Sequence, residues 1–276
     1  MAVEAALTMP LFVFLILGIL QLGLTSQARV MAKYAAYRAA RVGALNHADP
    51  EAIEAAAILH LMPVLVGNDE VIMPTSSSTD VIAKFNVFAQ AGGIGNRLGA
   101  TGLKQVKTVI CGPTQAEFGV GGQRQLARVD QSTLNGRGSS NEVDFDDPFV
   151  QSGPDNFYAG ASGADALRRF NRMRLRVQVQ LLYRMPIPFA NMIITKAYLG
   201  LQMPSVMMMP QENKDPISRY VPQTYANVKR AHDLGIYVVP INAGYAMRMQ
   251  SNMFLSRFRP PARNECSHYG QGKQSL

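Results

Sequence analysis

The stretch AALTMPLFVFLILGILQLGLTSQA, residues 5–28, holds 24 residues without a charge, between Glu4 and Arg29. As a helix it is about 36 Å long, more than the roughly 30 Å of a bilayer core. Twelve of the twenty residues from Ala5 to Leu24 are Leu, Ile, Phe or Val. Together they favour insertion by about 5 kcal/mol, less the share that Thr8, Pro10, Gln21 and two glycines subtract. Core helices of soluble proteins are rarely apolar all round over such a length. A cleaved secretory signal would carry a basic start and a shorter apolar core. The helical pattern also continues past the apolar run. Residues 27–45, QARVMAKYAAYRAARVGAL, are rich in Ala, and Arg29, Lys33, Tyr37 and Arg41 share one stripe at four-residue spacing. Residues 1–46 are therefore expected to form one rod, held in a membrane or among like helices.

Working outward, His47-Ala48-Asp49-Pro50-Glu51 reads as a helix stop and restart, with Asp49 as cap and Pro50 in the first helical position. A second helix is expected within 47–66, ending near Leu61. Residues 67–276 should form a β-containing domain. Residues 64–90 suggest one or two strands and a short helix, residues 91–165 long loops with short elements, and the C-terminal tail an irregular segment. In residues 172–181, RMRLRVQVQL, every even position is Arg or Gln and every odd one is apolar. That two-residue period predicts a half-buried strand whose arginines form its solvated face. Residues 236–241 predict a strand, and 246–251 another. Residues 190–209 read as a buried strand or core helix, since Lys196 near the middle would cost a second span about 2.5–3.5 kcal/mol. The expected fold class is α+β: a long N-terminal pilin-like transmembrane helix, then a mixed domain with an antiparallel sheet.

Chemistry is sparse. The formal charge is +8, but only 17% of residues are charged, and the excess is scattered. A nucleic-acid partner would want a clustered basic face. The four histidines form no HExxH pair, and no GxSxG or Walker loop is present. The glycines at 93, 95 and 99 lack the flanking strand and helix of a dinucleotide loop, and Asp144, Asp146 and Asp147 lack the spacing of a calcium loop. The expectation is no enzyme, no cofactor, no metal and no small-molecule substrate. Cys111 and Cys266 admit two readings, a long-range disulfide if the domain lies outside the cytoplasm or two buried thiols. Glu4, a carboxylate at the mouth of an apolar helix, is costly in a membrane and so a functional candidate by default.

Residues 2–10, AVEAALTMP, the apolar run, and residues 34–43, YAAYRAARVG, resemble the N-terminal domain of TadE-like proteins, pilin-related minor components of the bacterial tight-adherence (Tad) branch of type IV pili. The likeness covers about 45 residues closely. The strand near 175–183 and residues 246–251 are similar only loosely to later parts of such proteins. In that family a basic leader ends in Gly, a prepilin peptidase cuts after it, and a Glu stands fifth in the mature chain. The resemblance places that Glu at Glu4. The shift by one position, with no Gly or basic leader before it, is read either as Met1 lying inside a longer reading frame or as a relative that escapes processing. The basic residues after the apolar run would by themselves put the C-terminal side in the cytoplasm; the resemblance puts it outside.

What the resemblance implies is a membrane-anchored pilin-like minor subunit or assembly factor. Its partners would be membrane lipid, other pilin-like subunits and the pilus machinery. Its helix would sit in the bacterial inner membrane, its domain outside, and the chain would enter a cell-surface pilus. Glu4 and Pro10 would mark the subunit contact, Glu4 by pairing with a partner's N-terminal amine and Pro10 by bending the rod. The alternative is a bitopic envelope protein whose outer domain binds a ligand or surface.

Overall fold

The structure, a computed structural model, describes residues 2–65, 77–89, 96–114, 117, 142–143, 145, 170–200, 223–254, 260–261, 264 and 266. Helix α1 runs unbroken over Ala2–Leu45, with Pro10 inside it, and α2 over Pro50–Leu61. Between them the Asp49 side chain accepts from the Glu51 N–H at 3.2 Å, and Pro50 occupies the first turn, where no N–H partner is needed. Then follow α3 (Ser78–Ala89), β1 (Val106–Gly112), β2 (Glu142–Val143), β3 (Arg174–Arg184), α4 (Ala190–Tyr198), α5 (Gln223–Asp233), β4 (Val238–Arg248) and β5 (Met253–Phe254). The fold is α+β.

One sheet has the order β1-β3-β4, and β2 and β5 form a small antiparallel ladder with Val143 opposite Met253. The Met185 N–H donates to the Tyr237 carbonyl, and the Met249 N–H donates to the Met173 carbonyl. As β3 advances its partner on β4 therefore recedes, so the two strands are antiparallel along their whole length. β4 is one continuous strand where two were expected. Pro240 sits within it, which a strand outside the sheet centre tolerates because it need not donate on both sides.

Two expectations are corrected here. β3 is the central strand, and its even positions are not a solvated face: Arg176 and Gln178 are buried, as are Leu175, Val177 and Val179, and Arg174 and Gln180 are half-buried; Arg172, also buried, lies just before the strand. A two-residue period reports alternating chemistry, not alternating exposure, once both faces are covered. Within the expected loops of 91–165, VKTVICG forms β1, and residues 96–105 form a tight ordered turn. There the Leu98 N–H donates to the Leu103 carbonyl, the Gln105 N–H to that of Asn96, and Gly102 takes the left-handed φ of 66° the reversal needs. Residues 91–95, 115–116, 118–141 and most of 144–165 lie outside the described residues.

The chain divides into two compact units. The first combines residues 1–31, 63–105 and 181–241. Its core is Leu98, Leu182, Leu199, Val228, Ala231 and Val238, with Leu103 and Ile236 packed on them. The second combines residues 32–62, 106–180 and 242–276. Here the second half of α1 turns a stripe of small residues inward, Ala32, Ala36, Ala39, Ala40, Gly43 and Ala44. The closeness is visible at Gly43, where an added methyl would stand 2.6 Å from Leu175 and 2.7 Å from Ile53. α2 packs against β1 in the same unit.

Candidate assembly and membrane surface

α1 is 44 residues, about 66 Å long, and its two halves have opposite characters. From Ala32 on it is a packed element of the second unit. From Met9 to Leu24 it is bare on all but one face: Met9, Phe12, Val13, Ile19, Leu20 and Leu22 are all more than half exposed. About ten large apolar side chains on this half stand in the open, each forgoing about 1 kcal/mol or more of the 1.5–3 that burial supplies. The sum, roughly 10 kcal/mol, is as large as the whole stability of a typical domain. A contiguous apolar surface of this extent marks a protein or membrane interaction site. By length and composition α1 can cross a membrane.

Glu4 falls on the first turns of α1, and its side chain lies outside the described residues. Pro10 is exposed on the helix, where the missing N–H leaves one carbonyl of the preceding turn without its helical donor. Among the described residues no group of three or more His, Cys, Asp or Glu could hold a metal ion.

The foot of the rod is fastened by chain far away in sequence. The Ala44 carbonyl, orphaned at the helix end, accepts from the Gln250 N–H at 3.1 Å and from the Ser251 hydroxyl at 2.9 Å. The His47 N–H donates to Ser251 Oγ at 2.9 Å, and His47 Nδ1 lies 2.7 Å from the Asn252 carbonyl oxygen. These bonds hold His47 and Ala48 at φ of 55° and 59°, left-handed conformations that cost non-glycine residues roughly 1–2 kcal/mol each.

About two turns higher on α1, Arg38 Nε donates to His60 Nε2 at 3.1 Å, and Tyr34, a further turn up, meets the His60 ring edge-on at 5.3 Å. Partial burial, and then the Arg38 charge, lower the His60 pKa below its ordinary value of 6.5. The sign follows. Below pH 6.5 the unfolded chain takes up a proton that folded His60 refuses, so stability falls as pH drops towards the folded value. His60→Gln keeps an acceptor for Arg38 without a titrating group. Its thermal midpoint in detergent should fall less than that of the wild type between about pH 7 and about pH 5. Parallel declines would show that His60 does not titrate on unfolding.

The second unit also holds the buried charges. Arg176 donates to both carboxylate oxygens of Glu117 at 2.6 Å, and Arg172 Nε donates to the Glu117 carbonyl at 2.8 Å. The Thr114 N–H donates to Glu117 Oε2 at 2.7 Å. Gly112 makes room for this: a methyl there would overlap the Arg176 guanidinium. Beside it a disulfide joins Cys111 to Cys266 with their Cα atoms 5.5 Å apart. Sequence reading missed Glu117, which stands in a stretch without periodicity. The available signal was Arg176, since an arginine on a central strand needs a buried acid.

A second missed residue is Gln21. It is fully buried within the first unit, and its Oε1 accepts from the Ile187 N–H at 3.1 Å. The sequence shows only a polar residue interrupting an apolar run.

No curated protein and no solved structure matches the chain. Residues 1–41, which are the bare half of α1 and most of its packed half, match the family model for TadE-like protein.

Proposed function

We propose that this chain is a non-catalytic, membrane-anchored minor subunit or assembly factor of a Tad-type pilus, its α1 in the inner membrane and its sheet-bearing part outside the cytoplasm. One observation carries the reading: the segment that matches the TadE-like family contains the run whose large apolar side chains stand exposed. A helix that is bare at one end and packed by alanines at the other suits a subunit held first by lipid and then by neighbouring pilin helices. The Cys111–Cys266 disulfide supports the outer placement, because such bonds persist in oxidising compartments.

Within this reading Glu4 pairs with a partner's N-terminal amine in a desolvated site, which sets register rather than adding stability. Glu4→Ala should leave membrane insertion and folding intact, since it removes a charge from an apolar helix. It should reduce incorporation into the pilus machinery, because the partner amine is left unpaired where water cannot reach it. Pull-down of the other pilus components from detergent extracts, wild type against variant at equal expression, reads this out. Equal recovery would reduce Glu4 to an interfacial acid. Absence of those components from both pull-downs would favour the bitopic ligand-binding protein.

A further inference from the structure

We infer that the segment Pro186–Tyr198 is a second membrane element, a short interfacial helix with its entry loop that lies in the bilayer against α1. The inference rests on the reading of α1 as a membrane helix and goes beyond it.

The loop is attached to the apolar half of α1 at two levels. The Ile187 N–H reaches Gln21 Oε1, and the Phe189 ring meets Phe14 edge-on with centroids 5.9 Å apart. Phe14 and Gln21 are seven residues apart, so they share one face of α1 and differ in depth by about 10 Å. Leu17 and Gly18 are half-covered on the same face, where their neighbours Ile16 and Ile19 stand exposed. The loop therefore lies alongside a stretch of helix that has no reason to be in water.

Its backbone suits a dry setting. Irregular backbone at membrane depth is tolerated only where its polar groups find partners in protein. Pro186 and Pro188 have no N–H to satisfy, and that of Ile187 goes to Gln21. The carbonyls of Ile187, Pro188 and Phe189 accept from the N–H groups of Asn191, Ala190 and Ile193, and the Asn191 side-chain amide donates to the Met185 carbonyl. Reciprocally, Ile187 gives a donor to the Gln21 side chain within the apolar run.

The outward surface is greasy and ordered. Phe189, Ile193 and Ala197 fall at four-residue spacing and are exposed, and Tyr198 is exposed beside them. Thr195 and Leu199, on the opposite face, are buried. Phe189 holds a φ of 65°, a genuine outlier for a bulky residue, and that conformation presents its ring to Phe14 rather than to the domain core. The helix carries Lys196 and no acid, and Tyr198 stands at its end, the residue types that favour the headgroup level.

The chain contains no Trp, so a single introduced Trp is an unambiguous reporter. Ile193→Trp, Tyr198→Trp and Phe12→Trp are placed separately in the full-length chain. Leu59→Trp on α2 serves as an exposed position away from both elements. Each is reconstituted into phosphatidylcholine vesicles with and without brominated acyl chains. Emission of Ile193→Trp and Tyr198→Trp should drop by about twofold or more in brominated lipid, with Leu59→Trp unchanged. Quenching of Phe12→Trp alone would overturn this inference and leave the α1 reading standing. No quenching at Phe12 would overturn the α1 reading itself. A Trp at 193 that is blue-shifted but unquenched would mean that protein, not lipid, covers the face, and would also overturn it. Should the substitutions disturb folding, a phospholipid with a carbene-generating acyl tail tests the unsubstituted chain. It should label the peptide carrying residues 186–198 as well as α1, and label confined to α1 would contradict the proposal.

Discussion

Deleting residues 5–24 is expected to move the chain from a membrane pellet that resists alkaline carbonate to the soluble fraction. The deletion removes the apolar side chains that the structure leaves uncovered, including Met9, Phe12, Val13, Ile19, Leu20 and Leu22. Their partition into hydrocarbon favours holding the chain in a bilayer by about 5 kcal/mol even on conservative insertion scales. The second unit begins at residue 32 and keeps its alanine stripe, sheet positions and disulfide. The released chain should therefore retain its protease-resistant part and its mobility shift on reduction. A full-length chain that leaves the pellet without detergent would show that α1 is not an anchor.

Arg176→Met should be the most damaging single substitution in the second unit. Among the described residues, the Glu117 carboxylate would keep the Thr114 N–H as its partner at Oε2, while still largely shielded from water. Removing one member of a buried pair costs about 3–5 kcal/mol, because the other charge is left uncompensated. Against a usual domain stability of about 5–15 kcal/mol, that is enough to unfold a marginal protein. Denaturant unfolding in detergent should show the loss directly. The double variant Arg176→Met/Glu117→Gln should recover a good part of it, since no lone charge remains. If the double variant is no better than Arg176→Met, packing rather than charge explains the site.

Much of the helical frame was legible in the sequence. α1 and α2 announce themselves through an apolar run, an Ala-rich continuation and the Asp49-Pro50 restart, all of which act within a few residues. The sheet was legible only in part. Residues 172–181 identify β3, but whether Arg172 and Arg176 face water depends on what lies over them, here Glu117, which is distant in sequence. β1 was hidden because VKTVICG is short and lies among glycine-rich segments. The contact of Gln21 with Ile187 was not legible at all, since nothing local to either residue names the other. The TadE-like likeness was readable because it rests on a contiguous segment, residues 1–41.

In the proposed function the bare half of α1 ends among other pilin-related helices. A photo-cross-linking residue placed at Phe12 or at Leu20, both exposed, tests it in the native host with the pilus machinery present. Ala36, fully buried in the second unit, is the control position. Adducts with other pilus components are expected at Phe12 and Leu20 and none at Ala36. Adducts with lipid alone at both exposed positions, in cells that assemble pili, would contradict it.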